Sequence, residues 1–268
     1  MRRSRLTAYM TSLVLAVGTA LTGATTAQAS QQAAATGYVA LGDSYSSGVG
    51  AGAYISSSGG CKRSTKAYPY LWAAANAPSS FAFTACSGAR TGDVLSGQLG
   101  PLGAGTGLVS ITVGGNDAGF ADVMTTCVLQ SDSACVSRIN TAKAYVDSTL
   151  PGQLDKVYSA ISAKAPAAHV VVLGYPRLYR LGGTCLGLSQ AKRSAINNAA
   201  DYLNTAIAKR AADHGFAFGD VRPAFTGHEL CSGSAWLHGL NLLNTGDSYH
   251  PKAAGQSGGY LPVFRSAA

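Results

Sequence analysis

Five short apolar runs place the strongest constraint on how this 268-residue chain can fold. Residues 38–41, 81–84, 108–113, 169–173 and 216–218 are almost free of polar side chains, and each stops at Gly, Cys or Tyr-Pro. Unbroken apolar runs of strand length, rather than alternating ones, suit a parallel sheet buried on both faces. Helical patterns fill the intervals at 68–77, at 136–165 with Pro151 dividing it, at 190–214 and at 251–264. In the third of these, Ile196, Ala200, Leu203 and Ile207 recur at helical spacing, and Gly215 stands where a C-terminal cap belongs. Strands alternating with helices predict an α/β fold whose functional groups sit on loops beyond the carboxyl ends of the strands.

The N-terminus has a different grammar. Arg2, Arg3 and Arg5 precede an apolar run at 13–21, and Ala27-Gln28-Ala29 and Ala33-Ala34-Ala35 follow. This is the pattern of a secretory leader over residues 1–34, with cleavage expected between 29 and 35. The run is shorter than the roughly 20 residues a membrane span needs. No internal repeat, low-complexity linker or shift of composition divides the remainder, so 35–268 is read as one domain. Charged residues are 12% of the chain, which argues against a charge-rich disordered protein. The leader carries three arginines and no acid, so the net charge of +8 falls to +5 without it. That modest excess does not suggest a nucleic-acid partner.

Export gives the cysteines a meaning. Six of them, an even number, in an oxidising compartment read as three disulfides rather than as metal ligands or nucleophiles, and no C-x-x-C occurs. Pairing in chain order, Cys61 to Cys86, Cys127 to Cys135 and Cys185 to Cys231, would staple three loop regions locally.

Four segments carry groups that could do chemistry. The first run ends in Gly42-Asp43-Ser44, which fixes a hydroxyl at the sheet edge beside glycine. The second leads into Cys86-Ser87-Gly88-Ala89-Arg90, where Gly88 can present a bare amide. The third ends in Gly114-Gly115-Asn116-Asp117, which brings a side-chain amide to the same edge. Near the C-terminus stands Asp247-Ser248-Tyr249-His250-Pro251. Each alone is most simply a turn or a helix cap. In this order, on successive strand-to-helix loops, they resemble the SGNH hydrolase superfamily, also called GDS(L) lipases, across essentially all of 35–268. With the leader and the cysteine pairs, the chain is similar to the secreted Streptomyces-type lipases and esterases of that family. Tyr45 replaces the leucine of the Gly-Asp-Ser-Leu form.

The resemblance implies a three-layer α/β/α sandwich with a flavodoxin-like five-stranded parallel sheet. It also implies roles: Ser44 as nucleophile, His250 as general base, and an oxyanion hole made by the Ser44 amide, the Gly88 amide and the Asn116 side chain. Asp247 is expected to orient the imidazole, with the Ser248 carbonyl as the alternative holder. The implied activity is that of a secreted, extracellular serine lipase or esterase, acting without metal or cofactor on carboxylic esters of medium to long acyl chains. Triacylglycerols and p-nitrophenyl esters are included, and phospholipids and thioesters extend the range. A carbohydrate acetyl esterase and a non-enzymatic secreted binding module are the competing readings. The expected partners are a lipid or small ester and a transient lipid–water contact, for a monomer. Phe120, Tyr179 and Leu181 are candidates for an acyl groove.

Other motifs are set aside. Gly255-Gln256-Ser257-Gly258-Gly259 fits the nucleophile-elbow pattern, but no strand precedes it and neither His nor Asp follows Ser257. His169, His214, His228 and His238 share no metal-ligand spacing. Lys62, Arg63 and Lys66 read as a solvated loop, with contact to an anionic lipid or polymer as the alternative.

Overall fold

The first apolar run becomes β1 (Gly37–Gly42), all six of whose residues are buried. In this computed structural model, which describes residues 36–268, there follow α1 (Ser44–Ser47), α2 (Tyr68–Asn76), β2 (Phe81–Phe83) and a short α3 (Thr91–Asp93). Next come β3 (Thr106–Thr112), α4 (Phe120–Leu129), α5 (Asp132–Ser148), α6 (Leu150–Lys164) and β4 (His169–Leu173). The chain ends with α7 (Gln190–Asp213), β5 (Ala217–Gly219) and α8 (Leu261–Ala267). The expected leader and its cleavage zone lie outside the described residues. No described helix is long and apolar enough to cross a membrane.

The strands form one five-stranded sheet in the order β2-β1-β3-β4-β5, and every pairing is parallel. The fold is therefore α/β, with the flavodoxin-like strand order. From β1 the chain steps one way to β2 and then crosses to β3 on the other side. That reversal opens a crevice at the carboxyl ends of β1 and β3, where open α/β sheets hold their ligands.

Helices cover both faces. On one, Tyr38 of β1 packs against Trp72 of α2 and Phe264 of α8, with ring centroids 5.0 and 5.5 Å away. Its hydroxyl is satisfied by Ser110 Oγ at 2.7 Å, as a buried phenol requires. On the other face, Leu150 of α6 and Ile207 of α7 pack against Gly114 just beyond β3. Two asparagines of α7 hold the exit of β4: Asn204 brackets the backbone of Tyr175 (2.8 and 2.7 Å), and Asn197 bonds Leu178 and Tyr179. They lie seven residues apart, hence on one helix face.

Three elements differ from the sequence reading. The helix expected at 136–165 starts earlier, at Asp132, because Ser131 Oγ caps it by accepting the Ala134 amide. It breaks at Thr149, ahead of Pro151. The helix α4 was not foreseen at all. The segment expected to be helical over 251–264 winds as a π-helical stretch at Gly255–Tyr260, and α8 begins at Leu261. Disulfides join Cys61 to Cys86, Cys127 to Cys135 and Cys185 to Cys231.

Candidate active site

The crevice is built from the end of β1. Gly42 sits at φ +121°, where an added Cβ would lie 2.5 Å from the Thr112 carbonyl oxygen, so only glycine lets β1 turn away beside β3. The Gln98 side chain brackets this residue, accepting from its amide at 2.7 Å and donating to its carbonyl at 2.9 Å. Asp43 then caps α1 by accepting the Tyr45 amide at 3.0 Å, and Ser44 is the first helical residue.

Asp43 is 1% exposed and serves more than the cap. It accepts from Thr112 Oγ1 at 2.6 Å and from the Tyr175 hydroxyl. Tyr175 in turn accepts from the Gly115 amide at 3.3 Å. A carboxylate thus ties the ends of β1, β3 and β4 together beneath the crevice. Burial pushes its pKa up to about 6, against the pull of these donors.

His250 arrives from the other side, after a 3₁₀ turn at Thr245–Asp247. Its Nε2 lies 2.7 Å from Ser44 Oγ. Burial lowers the pKa of the ring to about 4, while the Ser248 carbonyl and the charge of Asp247 pull it upward. An imidazole that is neutral at neutral pH can accept the serine proton at Nε2, which places its own proton on Nδ1. The Ser248 carbonyl is the backbone group that favours the protonated ring, and Nδ1 makes no hydrogen bond among the described residues. Catalytic contacts of this kind often align only once substrate is bound.

The Asp247 carboxylate turns elsewhere. It accepts from Asn244 Nδ2 at 2.6 Å and from the Tyr54 hydroxyl at 3.4 Å, and it stands 3.8 Å from Lys62 Nζ. It makes no hydrogen bond to the imidazole and acts on it only through charge.

The residue before the histidine is strained. Tyr249 has φ +65°, a left-handed conformation that is rare for an aromatic residue. Its carbonyl accepts the Tyr45 hydroxyl at 2.9 Å and its amide donates to the His238 carbonyl at 2.9 Å. Tyr45 also lays its ring 5.3 Å from that of His250. The residue that departs from the Gly-Asp-Ser-Leu form is therefore bonded to the segment carrying the imidazole.

Ser44, Gly88 and Asn116 all line one cavity. Gly88 (φ +77°) has open space where a side chain would be, which leaves its amide approachable. Asn116 spends one Nδ2 hydrogen on the Ala89 carbonyl at 3.0 Å, leaving the second for a ligand. Asp117 locks the loops after β2 and β3 together by accepting from Thr91 Oγ1 at 2.6 Å. The Cys61–Cys86 disulfide and the Ser87 amide, bonded to the Cys61 carbonyl at 3.1 Å, brace the same loop from outside.

From this polar end the cavity, about 560 Å³, runs between α4, α5 and α7. Val123, Met124, Val128, Val146, Ile196 and Leu203 are among its walls. Of the three expected groove residues, Phe120 lines it. Tyr179 and Leu181 instead border a separate polar depression with Arg177, Arg180 and Asp201, because Asn197 pins the backbone of Tyr179 there.

The other candidates are spread elsewhere. His169 meets the Ala267 carbonyl, and His214 bonds Asp155 at 3.0 Å. His228 stacks on Trp236, and His238 meets the Gly50 carbonyl at 2.8 Å. Ser257 lies exposed in the π-helical turn. Sequence reasoning missed the roles of Asp43, Thr112, Asp117 and Tyr175; only the helix-capping position of Asp43 could have been seen without the fold.

Residues 40–257 match the GDSL-like lipase/acylhydrolase family. The chain is 77% identical over 268 residues to Lipase 1 of Streptomyces coelicolor, covering all of both chains. Its structure is similar to that of phospholipase A1 from Streptomyces albidoflavus, with 69% identity, a TM-score of 0.86 and coverage of 88% of this chain and 100% of that one. The extracellular lipase of Streptomyces rimosus gives 68% identity and a TM-score of 0.85 over 87% of this chain and 100% of that one.

Proposed function

The chain belongs to the GDSL-like lipase/acylhydrolase family and is a carboxylic ester hydrolase, and we propose that it is a secreted lipase cleaving esters of medium to long acyl chains through a serine-bound acyl-enzyme. The observation that carries this reading is the 2.7 Å contact between Ser44 Oγ and His250 Nε2 at the polar end of an apolar cavity. Ser44 Oγ attacks the ester carbonyl as its proton passes to His250. The oxyanion that forms is held by the Ser44 and Gly88 amides and the Asn116 side chain. The imidazolium then gives its proton to the leaving alcohol, and water, activated by the same ring, releases the acid.

The imidazole is held as a dyad rather than a triad. The Ser248 carbonyl is the backbone group that raises the proton affinity of the ring, and the segment is fixed by the Tyr45 hydroxyl and the His238 backbone. Asp247 contributes field rather than orientation.

The volume of the cavity, about 560 Å³, and its apolar walls favour triacylglycerols and p-nitrophenyl esters of longer acids over acetyl groups on carbohydrate. The 69% identity to a phospholipase A1 supports phospholipid acyl esters as a second substrate class. The leader pattern, the three disulfides and the likeness to an extracellular lipase support secretion. The test is a series of p-nitrophenyl esters from acetyl to palmitoyl, with Ser44→Ala as control. Turnover is expected to peak beyond butyryl and to vanish in the variant. Turnover that is greatest on acetyl and fades steadily with length would favour the carbohydrate esterase.

A further inference from the structure

The turn at residues 239–246 reverses the usual pattern of a surface loop. Turn tips are ordinarily polar, yet Leu243 is 100% exposed and Leu242 80%, with Leu240 at 47%. Its two asparagines are spent on bonds within the segment instead. Asn241 Oδ1 accepts from the amides of Leu243 and Asn244, both at 3.1 Å, and Asn244 Nδ2 donates to Asp247 at 2.6 Å. The tip is therefore braced from within while its leucines project into solvent.

This turn is joined to the catalytic segment. The Asn241 amide donates to Ser248 Oγ at 2.9 Å, and the backbones of His238, Tyr249 and His250 are cross-bonded beside it. Leu240 and Leu242 line the cavity that holds Ser44, and so does Leu129, 76% exposed at the end of α4. Contiguous exposed apolar surface around a cavity mouth marks an interaction site rather than ordinary surface.

We propose that the turn at 239–246, with Leu129, is an interfacial anchor that docks the cavity mouth on the hydrocarbon surface of a triacylglycerol droplet. This rests on the lipase reading above. A second copy of the chain seated on the same leucines would cover the mouth through which an ester must enter; a droplet surface delivers the acyl chain into it. Burying one fully exposed leucine strengthens partitioning by roughly 10- to 100-fold.

The test uses Leu243, which lies at the tip and outside the cavity lining. Flotation of the Ser44→Ala protein with trioctanoin droplets measures binding without turnover. Adding Leu243→Asp is expected to weaken droplet binding at least about 10-fold, and Leu243→Phe to preserve it. In the active enzyme, Leu243→Asp should leave kcat/KM on dissolved p-nitrophenyl butyrate within about twofold, while hydrolysis of dilute emulsion falls. Unchanged droplet binding by Leu243→Asp would overturn the proposal, as would equal loss on the dissolved ester. So would a wild-type dimer that Leu243→Asp makes monomeric with no change on emulsion. Droplets that are bound but not hydrolysed, with dissolved esters still turned over, would leave the anchor standing and remove the lipase reading.

Discussion

Two carboxylates flank the serine–imidazole pair, and they are used in opposite ways. Asp43, next to Ser44, is buried and receives three hydrogen bonds that tie together residues beside three strands. Asp247, three residues before His250, is spent on Asn244, Tyr54 and Lys62 at the surface. The Ser44 side is fixed by a buried carboxyl group, and the His250 side by hydrogen bonds to its backbone. The lesson is that a carboxylate at the sequence position of a triad member need not be the one that organises the site.

The largest expected effect sets the scale for that comparison. Ser44→Ala and His250→Ala should each lower kcat on a dissolved p-nitrophenyl ester by roughly 10⁴- to 10⁶-fold, since residues acting as a unit fail together. Substantial turnover in either would break the dyad. A second large effect is in pH. On the proposed mechanism the activity of the free enzyme follows the neutral imidazole, whose pKa burial lowers to about 4. The acid limb of kcat/KM should therefore fall near pH 4, not near the ordinary histidine value of about 6.5.

Asp43→Ala should act on stability. It removes a helix cap, worth about 1 kcal/mol, and strands the buried hydroxyl of Tyr175, at about 1–3 kcal/mol. A loss of about 3 kcal/mol, or roughly 10 °C in Tm, is expected from thermal unfolding. The sign with pH is distinctive. A carboxyl whose pKa is raised from 3.8 to about 6 keeps its proton in the folded state up to about pH 6. Its contribution to stability is complete below the unfolded value and is lost as pH rises through 6. The loss in Asp43→Ala should thus be greater in acid than at pH 8. Tyr45→Phe frees the carbonyl of the strained Tyr249. It should lower kcat roughly 3- to 10-fold with KM little changed, since a displaced base costs rate rather than binding.

Much of this was legible in the sequence. Continuous apolar runs located all five strands, and the glycine-flanked Ser44, Gly88 and Asn116 fell at strand ends because a parallel sheet puts its loops there. The helix α4 was hidden because Gly119, with positive φ and no side chain, stands at its cap, and because its last apolar residue, Leu129, is largely exposed to solvent. The service of Asp43 was hidden for another reason. Its partners Thr112 and Tyr175 lie 69 and 132 residues away, so no local pattern announces them. The orientation of the Asp247 carboxylate likewise depends on Tyr54 and Lys62, which the fold alone brings near.

The smallest expected effect decides the central claim that His250 is held by backbone rather than by a carboxylate. In Asp247→Asn, kcat/KM on dissolved p-nitrophenyl butyrate at pH 8 should stay within about fivefold of wild type, because only a screened charge is lost. A fall approaching the roughly 10⁴-fold loss caused by removing a triad carboxylate would contradict the dyad and return Asp247 to the catalytic machinery.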